Sequence, residues 1–546
     1  MIVCQHATLL HAQGEDRVGG RSEVFAGGEL ETYLRDLQLI GAVPLYPWSV
    51  RSFSPSELDR LFPVDSIPHP WRLRYDLHPA PHDRLTFDVV RPTASTRFNS
   101  TFPYGSNDGP IWAGRGLTAA VQIGVTARYH SLSVTIAPLA FAAQNASFSL
   151  LANGDTGKLA FGDGVYAGGI DRPQRFGARP YTVLDPGQST VRLDAGALTL
   201  GVSTANQYWG PAAVYPAVLG NNAAGFPHAF LGTAHPVDLW LVRVHGRLVW
   251  GRLNQSSFSS ETAGGGIRFM AGLVGVLTPR GLPGLEFGLS RFIHTPWPQS
   301  GLSTSELLLP LVSRNRENQL GTANDNQLAA AFARWVFPRS GVEFYGEYGR
   351  EDYNADLRDF IDEPDHIGGY MASLGLRKAF GPSDGRLIVL GAEVVNEQRN
   401  RTASEIGRPP PYTHGTLGQG HTERGQILGA DIGIDGTGAT LSLDSYHTGG
   451  RWSVRWTRIL RGDRGNFPAA GQVDPRARDV QHALTFERLF FRGRYDILAG
   501  LTAVYEFNRN SQSDAFNLNA IVVVRADVPG YLRSLRRQTR EVEADR

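Results

Sequence analysis

The alternation from Trp240 to Trp250 constrains this chain more than any other feature. One parity carries Trp240, Val242, Val244, Gly246, Leu248 and Trp250, and the other carries Arg243, His245 and Arg247. Successive side chains of a strand point to opposite faces, so the segment presents an apolar ribbon with Trp at both ends and, behind it, a cationic ribbon. The pattern recurs. Val121, Ile123, Val125, Ala127 and Tyr129 oppose Gln122, Gly124, Thr126 and Arg128, while Trp452, Val454 and Trp456 oppose Ser453, Arg455 and Thr457. Tyr495, Ile497, Ala499, Leu501, Ala503, Tyr505 and Phe507 share one face, and Phe516, Leu518, Ala520, Val522 and Val524 turn away from Asn517 and Asn519. A soluble sheet does this once or twice. A chain that does it throughout wraps a polar interior in an apolar exterior, as a transmembrane barrel does.

Composition narrows the reading. The 53 basic and 52 acidic residues give a net charge of +1, so no bulk charge points to nucleic acid. A hydrophobic content of 41% with a mean hydropathy of −0.22 excludes a helical membrane protein and does not suggest disorder. The chain is rich in Gly (63) and aromatic residues, and its single cysteine, Cys4, offers no internal disulfide or Cys-paired metal site. Met1–Gly14 lacks the basic start and apolar core of a secretory signal, which points to a trimmed leader or a misplaced start.

Counting alternating segments between turn signals gives about 16 to 19 strands, many roughly 9–13 residues long, which suits a tilted membrane crossing. Short links such as Tyr129–Ser131 and Pro338–Gly341 alternate with long polar ones such as Pro298–Asn326 and Arg399–Arg424. That asymmetry is the outer-membrane pattern. A propeller would repeat a motif at a fixed period, and none is found. Ahead of the strands, Leu30, Leu34, Leu37 and Ile40 recur at helical spacing before Gly41. Ser54-Pro55 then precedes Glu57, an N-cap signature for a second short helix. The expected organisation is a leader remnant over 1–22 and a periplasmic helical element over 23–70. An all-β, antiparallel up-and-down barrel follows over 71–528, and a basic tail over 529–546.

Three stretches hold more special residues than a wall requires: Asn206–Pro236, Phe344–Asp352 and Tyr412–Gly429. In the first, alternation stops at Trp209-Gly210-Pro211 and a Gly/Asn/Pro-rich loop carries His228 and His235. The second places Glu347, Arg350, Glu351 and Asp352 at or near one strand end. The third sets His414, His421, Glu423 and Arg424 among glycines. As an enzyme site, Glu347, Glu351 and Asp352 would be the acid/base carboxylates. His414 and His421 do not match a recognised metal spacing, and neither a nucleophile elbow nor a phosphate-binding loop is present. Aromatic, His, Asn and Arg side chains are those that stack on sugar rings and bond their hydroxyls, so a glycan surface fits this mixture better than hydrolysis.

At these stretches the chain resembles the Wzi capsule-assembly family of outer-membrane proteins. The resemblance begins with GGELETYLRDLQLIG and the helix after Ser54-Pro55, and runs through YWGP, NNAAGFPHAFLGT, WGRLNQS and FYGEYGREDY. It ends on Tyr412-x-His414-Gly415 and Gly420-His421-Thr422-x-Arg424-Gly425. It implies a barrel of about eighteen strands with a small periplasmic helical element. The implied role is to hold capsular or related extracellular polysaccharide at the cell surface without catalysis and without a cofactor. Trp209, His228, Glu347, Arg350, Asp352, Tyr412, His414, His421 and Arg424 lie in the shared blocks as residues that contact sugar or brace the lumen. The expected partners are that polysaccharide and outer-membrane lipid, with no nucleic acid, and the expected state is a monomer. The alternative reading is a porin or solute channel with an open lumen lined by the polar ribbons.

Overall fold

The alternating segments pair in order and close. The computed structural model describes residues 18–19, 24–61, 67–76, 85–260, 266–311, 325–351, 370–383, 385–399, 409–461, 478–510 and 512–527. Within them the wall is a closed antiparallel barrel of eighteen strands in up-and-down order. The first strand, Thr86–Asn99, pairs with the last, Ser513–Ala526, and so removes the sheet edge. Three strands are interrupted. Pro138 splits Leu132–Ile136 from Leu139–Ala143, and Pro186-Gly187 splits Tyr181–Asp185 from Thr190–Ala195. Ala234–Pro236 likewise separates His228–Thr233 from Val237–Leu239, both of which pair with Val242–Asn254. A proline has no N–H to give a ladder, so each break falls where the sequence carries one.

The exterior is the apolar parity. Leu117, Val121, Ile123, Val125, Leu441, Leu484, Phe486, Leu501 and Phe516 are exposed. Their strand neighbours Thr118, Thr126, Ser453, Thr502 and Asn517 are buried. No soluble protein leaves so continuous an apolar surface uncovered, and a lipid-facing wall does so necessarily. One end of the barrel is closed by tight links at His130-Ser131, Trp240-Leu241, Pro338–Gly341 and Gly493-Arg494, while most of the links at the other end are long.

The opening alternation is reproduced with one correction. His245 and Arg247 are buried and face inward, whereas Arg243 lies at a tight link, exposed, and pairs with Asp238 at 2.8 Å. Trp240 is 85% exposed beside that link. The inward pair does not face a wet lumen at this point. His245 Nε2 lies 3.2 Å from the Glu57 carboxylate, and Arg247 donates to Gln207 at 2.9 Å.

Glu57 belongs to the helical element, which fills the short-link end from inside. Helix α1, Glu29–Leu39, ends before Gly41, whose φ of +70° a side chain would disfavour. Helix α2, Pro55–Leu58, is capped by a reciprocal box between Ser54 and Glu57. Tyr33, Leu34, Leu37, Trp48, Phe53 and Trp71 pack with inward wall residues Leu387, Val389, Tyr446 and Leu489. Charged residues of α1 are anchored as well. Arg35 bonds Glu343 at 2.7 Å, Asp36 bonds Arg377 at 2.5 Å, and both pairs are buried. Trp71 and Tyr75 pack with this plug, and the wall begins at Thr86.

Candidate functional site

The long segment Asn206–Pro227 descends into the lumen from the long-loop end and meets the plug. Tyr208–Trp209 form a two-residue ladder with Val50–Arg51, and the Arg51 guanidinium lies 3.7 Å over the Tyr208 ring. Two wall carboxylates hold the segment by its backbone. Glu347 accepts from the N–H groups of Ala212 (2.7 Å) and Ala217 (2.8 Å). Glu393 accepts from those of Ala213 (2.8 Å), Val214 and Tyr215 (2.7 Å), and from the Tyr345 hydroxyl at 2.6 Å. N–H groups gathered on a carboxylate form an anion nest, which satisfies the backbone of residues 212–217, a stretch with no sheet partner.

Trp209, 1% exposed, seats its ring against Gly272 of the strand Ile267–Pro279. A Cβ there would stand 2.5 Å from Trp209 Cη2, so the notch exists only because the residue is glycine. Around it Val218, Leu219, Phe226, Val249, Met270, Val274, Phe292 and Phe332 form one apolar core inside the barrel.

The third stretch closes over this core. The Tyr412 hydroxyl donates to the Ala217 carbonyl at 2.8 Å, and its backbone N–H bonds Glu351. His421 is fully buried, stacked on Tyr412 and edge-on to Phe292. Its Nε2 lies 2.7 Å from the Val218 carbonyl, which makes that nitrogen the protonated one. Burial holds the imidazole down to about 3, so it is neutral. Burial pushes the Glu423 carboxyl up to about 7 against the opposing pull of Arg424.

Of the residues singled out from sequence, most are therefore inside. Trp209, Glu347, Tyr412 and His421 are buried in or against the inner core, and Arg350 is buried near the long-loop end of Val342–Glu351. His228 is not a loop residue: it opens the strand His228–Thr233, buried, with Nδ1 2.8 Å from the Phe226 carbonyl. Glu347 lies in mid-strand rather than at a strand end. Its four-residue offset from Glu351 is about 13 Å of strand, too far for a glycosidase pair. Asp352 lies outside the described residues.

Two of the nine reach the surface. His414 is half-buried, with Nδ1 3.0 Å from the Leu417 N–H and its own N–H on the Gly169 carbonyl. Arg424, 33% exposed, reaches Asp185 at 2.6 Å, and the next residue, Gly425, backs onto Pro173 and Phe176. Phe176 leads into an aromatic cluster that sequence reasoning missed. Its ring centroid lies 4.9 Å from Trp112, 5.8 Å from Tyr181 and 5.8 Å from Phe258, which in turn meets Phe161 at 6.0 Å. All five rings are partly exposed at the long-loop end. Part of the signal was present in Gln144–Pro180, a long Gly-, Asn- and aromatic-bearing stretch outside the three motif blocks that supplies Phe161 and Phe176.

The sequence model of the family described as "Capsule assembly protein Wzi" matches residues 126–500. Among curated proteins none matches the chain by sequence. Among solved structures, the chain is similar to Wzi of Escherichia coli, described as an outer-membrane protein involved in group 1 capsule assembly and a carbohydrate-binding β-barrel. The identity is 13% and the TM-score 0.59, over 93% of this chain and 99% of that one. OccAB2 of Acinetobacter baumannii is a looser likeness, with 9% identity and a TM-score of 0.39 over 79% of this chain and 96% of that one. The family match covers more than half of the chain, and with it the apolar-walled barrel becomes an outer-membrane one: this chain belongs to the Wzi capsule-assembly family.

Proposed function

We propose that this barrel holds capsular or related extracellular polysaccharide at the cell surface noncovalently, through the loops at its long-loop end, with the short-link end and its plug facing the periplasm. The observation that carries this is the partly exposed ring cluster of Trp112, Phe161, Phe176, Tyr181 and Phe258 beside Arg424. Flat apolar faces next to a fixed cation and loop amides are what a sugar chain needs for stacking and for its hydroxyls. The buried residues serve this indirectly, since Tyr412, His421 and Glu347 fix the segments that carry the mouth. The filled half of the lumen supports a binding barrel over a wide-bore porin, and no residue is assigned a chemical step.

The test is binding of the organism's own surface polysaccharide to the purified barrel. Trp112→Ala with Phe176→Ala is expected to weaken binding about tenfold, given about 0.5–1.5 kcal/mol for each of the two lost stacking contacts. Absence of binding by the parent protein, together with unaltered surface polysaccharide in a deletion strain, would overturn the reading.

A further inference from the structure

Beside the filled core, the barrel keeps a second space. A cavity of about 320 Å³ runs between the plug, the inner segment at Ala213-Val214 and the inward faces of the later strands. Asp108, from the long connection after Asn99, reaches its long-loop side, and Glu29 of α1 its floor.

Its walls are charged, and the charges can be accounted for one by one. Arg51 pairs with Glu31 at 3.3 Å, Arg97 with Asp108 at 2.6 Å and Arg377 with Asp36 at 2.5 Å. Arg35 is taken by Glu343. Arg451 alone gathers Glu29, Asp444 and Glu487, at 3.1, 2.6 and 3.4 Å. Glu393 spends its oxygens on the backbone of residues 213–215 and on Tyr345. Every lining carboxylate is thus engaged, while Arg455 and Arg525 have no hydrogen-bond or ion-pair partner among the described residues.

Arg455 has a second feature beside it. It stands directly across the strand pair from Ser442, and both line the cavity. The Ser442 hydroxyl likewise has no partner among the described residues. Side chains directly opposite on one face sit about 5 Å apart at Cβ, close enough to hold neighbouring groups of one ligand. An unpaired guanidinium selects an anion, above all a planar carboxylate it can grip with two N–H groups. A free hydroxyl beside it suits a second, hydroxylic group. The volume is at the small end for a ligand pocket, enough for one sugar-sized molecule.

We infer that this cavity is a binding site for a hydroxylated carboxylate of sugar-ring size, a hexuronate, with Arg455 holding the carboxylate and Ser442 a ring hydroxyl. The carboxylate rests on the unpaired arginine. The choice of a sugar acid over other hydroxy acids rests on the polysaccharide reading above.

The experiment is titration calorimetry of the detergent-purified full chain with glucuronate, glucose, acetate and inorganic phosphate. Glucuronate is expected to bind best, and glucose not at the same concentrations. Arg455→Gln should weaken glucuronate at least about tenfold and Ser442→Ala severalfold, while Arg455→Lys retains part of the affinity. Heat-shifted electrophoretic mobility, unchanged in the variants, shows that the barrel is folded. Unchanged binding by Arg455→Gln, acetate or phosphate binding as well as glucuronate, or no glucuronate heat at all would each overturn the inference. Binding of intact surface polysaccharide is measured on the same variants. Its survival when glucuronate binding is absent from the parent would refute the cavity and leave the surface reading standing. Loss of polymer binding in the Trp112/Phe176 variant with glucuronate binding intact would keep the two sites separate.

Discussion

The two halves of this lumen are lined by antiparallel strands of similar length, yet one half is filled by a hydrophobic core and the other, beyond the plug, is polar space. Strands Val242–Asn254 through Asn326–Phe337 turn Val249, Leu253, Met270, Val274, Phe292, Leu328 and Phe332 inward, onto an inner segment hung from Glu347 and Glu393. Strands Thr437–His447 through Ser513–Ala526 turn Ser442, Ser453, Arg455, Thr502, Asn517 and Asn519 inward. The difference teaches that alternation marks an inward face that meets polar space or, as at His245 and Arg247, buried polar partners, whereas a strand apolar on both parities marks wall facing packed protein. This is the transmembrane counterpart of sheets buried on both faces.

The largest effect is expected where the filled half is hung. Replacing both Glu347 and Glu393 by Ala leaves the N–H groups of residues 212–215 and 217 without their acceptors, and those of Ala212, Tyr215 and Ala217 are buried. At about 1–3 kcal/mol for each buried donor left unpaired, the inner segment should come loose and ion conductance should rise in planar bilayers. Thr485 and Thr502, whose hydroxyls share a 3.0 Å bond in the polar half, serve as the control. Replacing both by Val should leave conductance near that of the parent. Equal conductance changes in the two double variants would break the comparison.

A smaller contrast lies in two inward glycines. Gly272→Ala drives a methyl into the fully buried Trp209 ring, whereas Gly500→Ala meets Ile521 Cγ2 at 2.7 Å and Glu487 Cγ at 3.2 Å, on half-buried side chains that have room to turn aside. The first should cost about 1–3 kcal/mol in unfolding measurements and the second clearly less. An equal cost at both positions would mean that Trp209 is not locked.

The third contrast sits within the filled half and is read by pH. His421 ordinarily titrates near 6.5 and is held down to about 3, so its share of stability is complete above pH 6.5 and is lost as pH falls toward 3. Glu423 runs from 4.5 up to about 7, so its share is complete below pH 4.5 and is lost as pH rises through 7. Between pH 4.5 and 6.5 the two oppose each other, each by at most about 1.4 kcal/mol per pH unit. Hydrogen exchange over residues 412–429, corrected for intrinsic rates, should therefore show opposite slopes in two variants. On acidification Glu423→Gln should lose protection, and His421→Gln should gain it. Slopes of the same sign would contradict the buried placement of one of the two.

Much of the frame was legible because it obeys local rules. The wall follows a period of two, α1 follows Leu34 and Leu37 to Gly41, and α2 follows its capping box at Ser54 and Glu57. What was not legible is decided across the lumen. Nothing local announces that Glu347 accepts two N–H groups from a segment 130 and 135 residues away, or that Gly272 is a seat for Trp209. The same distance hid the aromatic cluster. Trp112, the pair Phe161 and Phe176, and Phe258 come from three separate connections, and only closure of the barrel brings them together. The residues most conspicuous in sequence sit where alternation stops, and most of them lie buried inside the lumen.

The most direct test of the two-halved lumen is thiol labelling of the intact barrel, with Cys4 replaced by Ser and one inward position in each half changed to Cys. Val274 is fully buried in the filled half, and Ser442 lines the cavity in the other. With a small charged methanethiosulfonate reagent, Ser442→Cys should label readily while Val274→Cys stays protected until the barrel is unfolded. Equal labelling rates at the two positions would contradict the account.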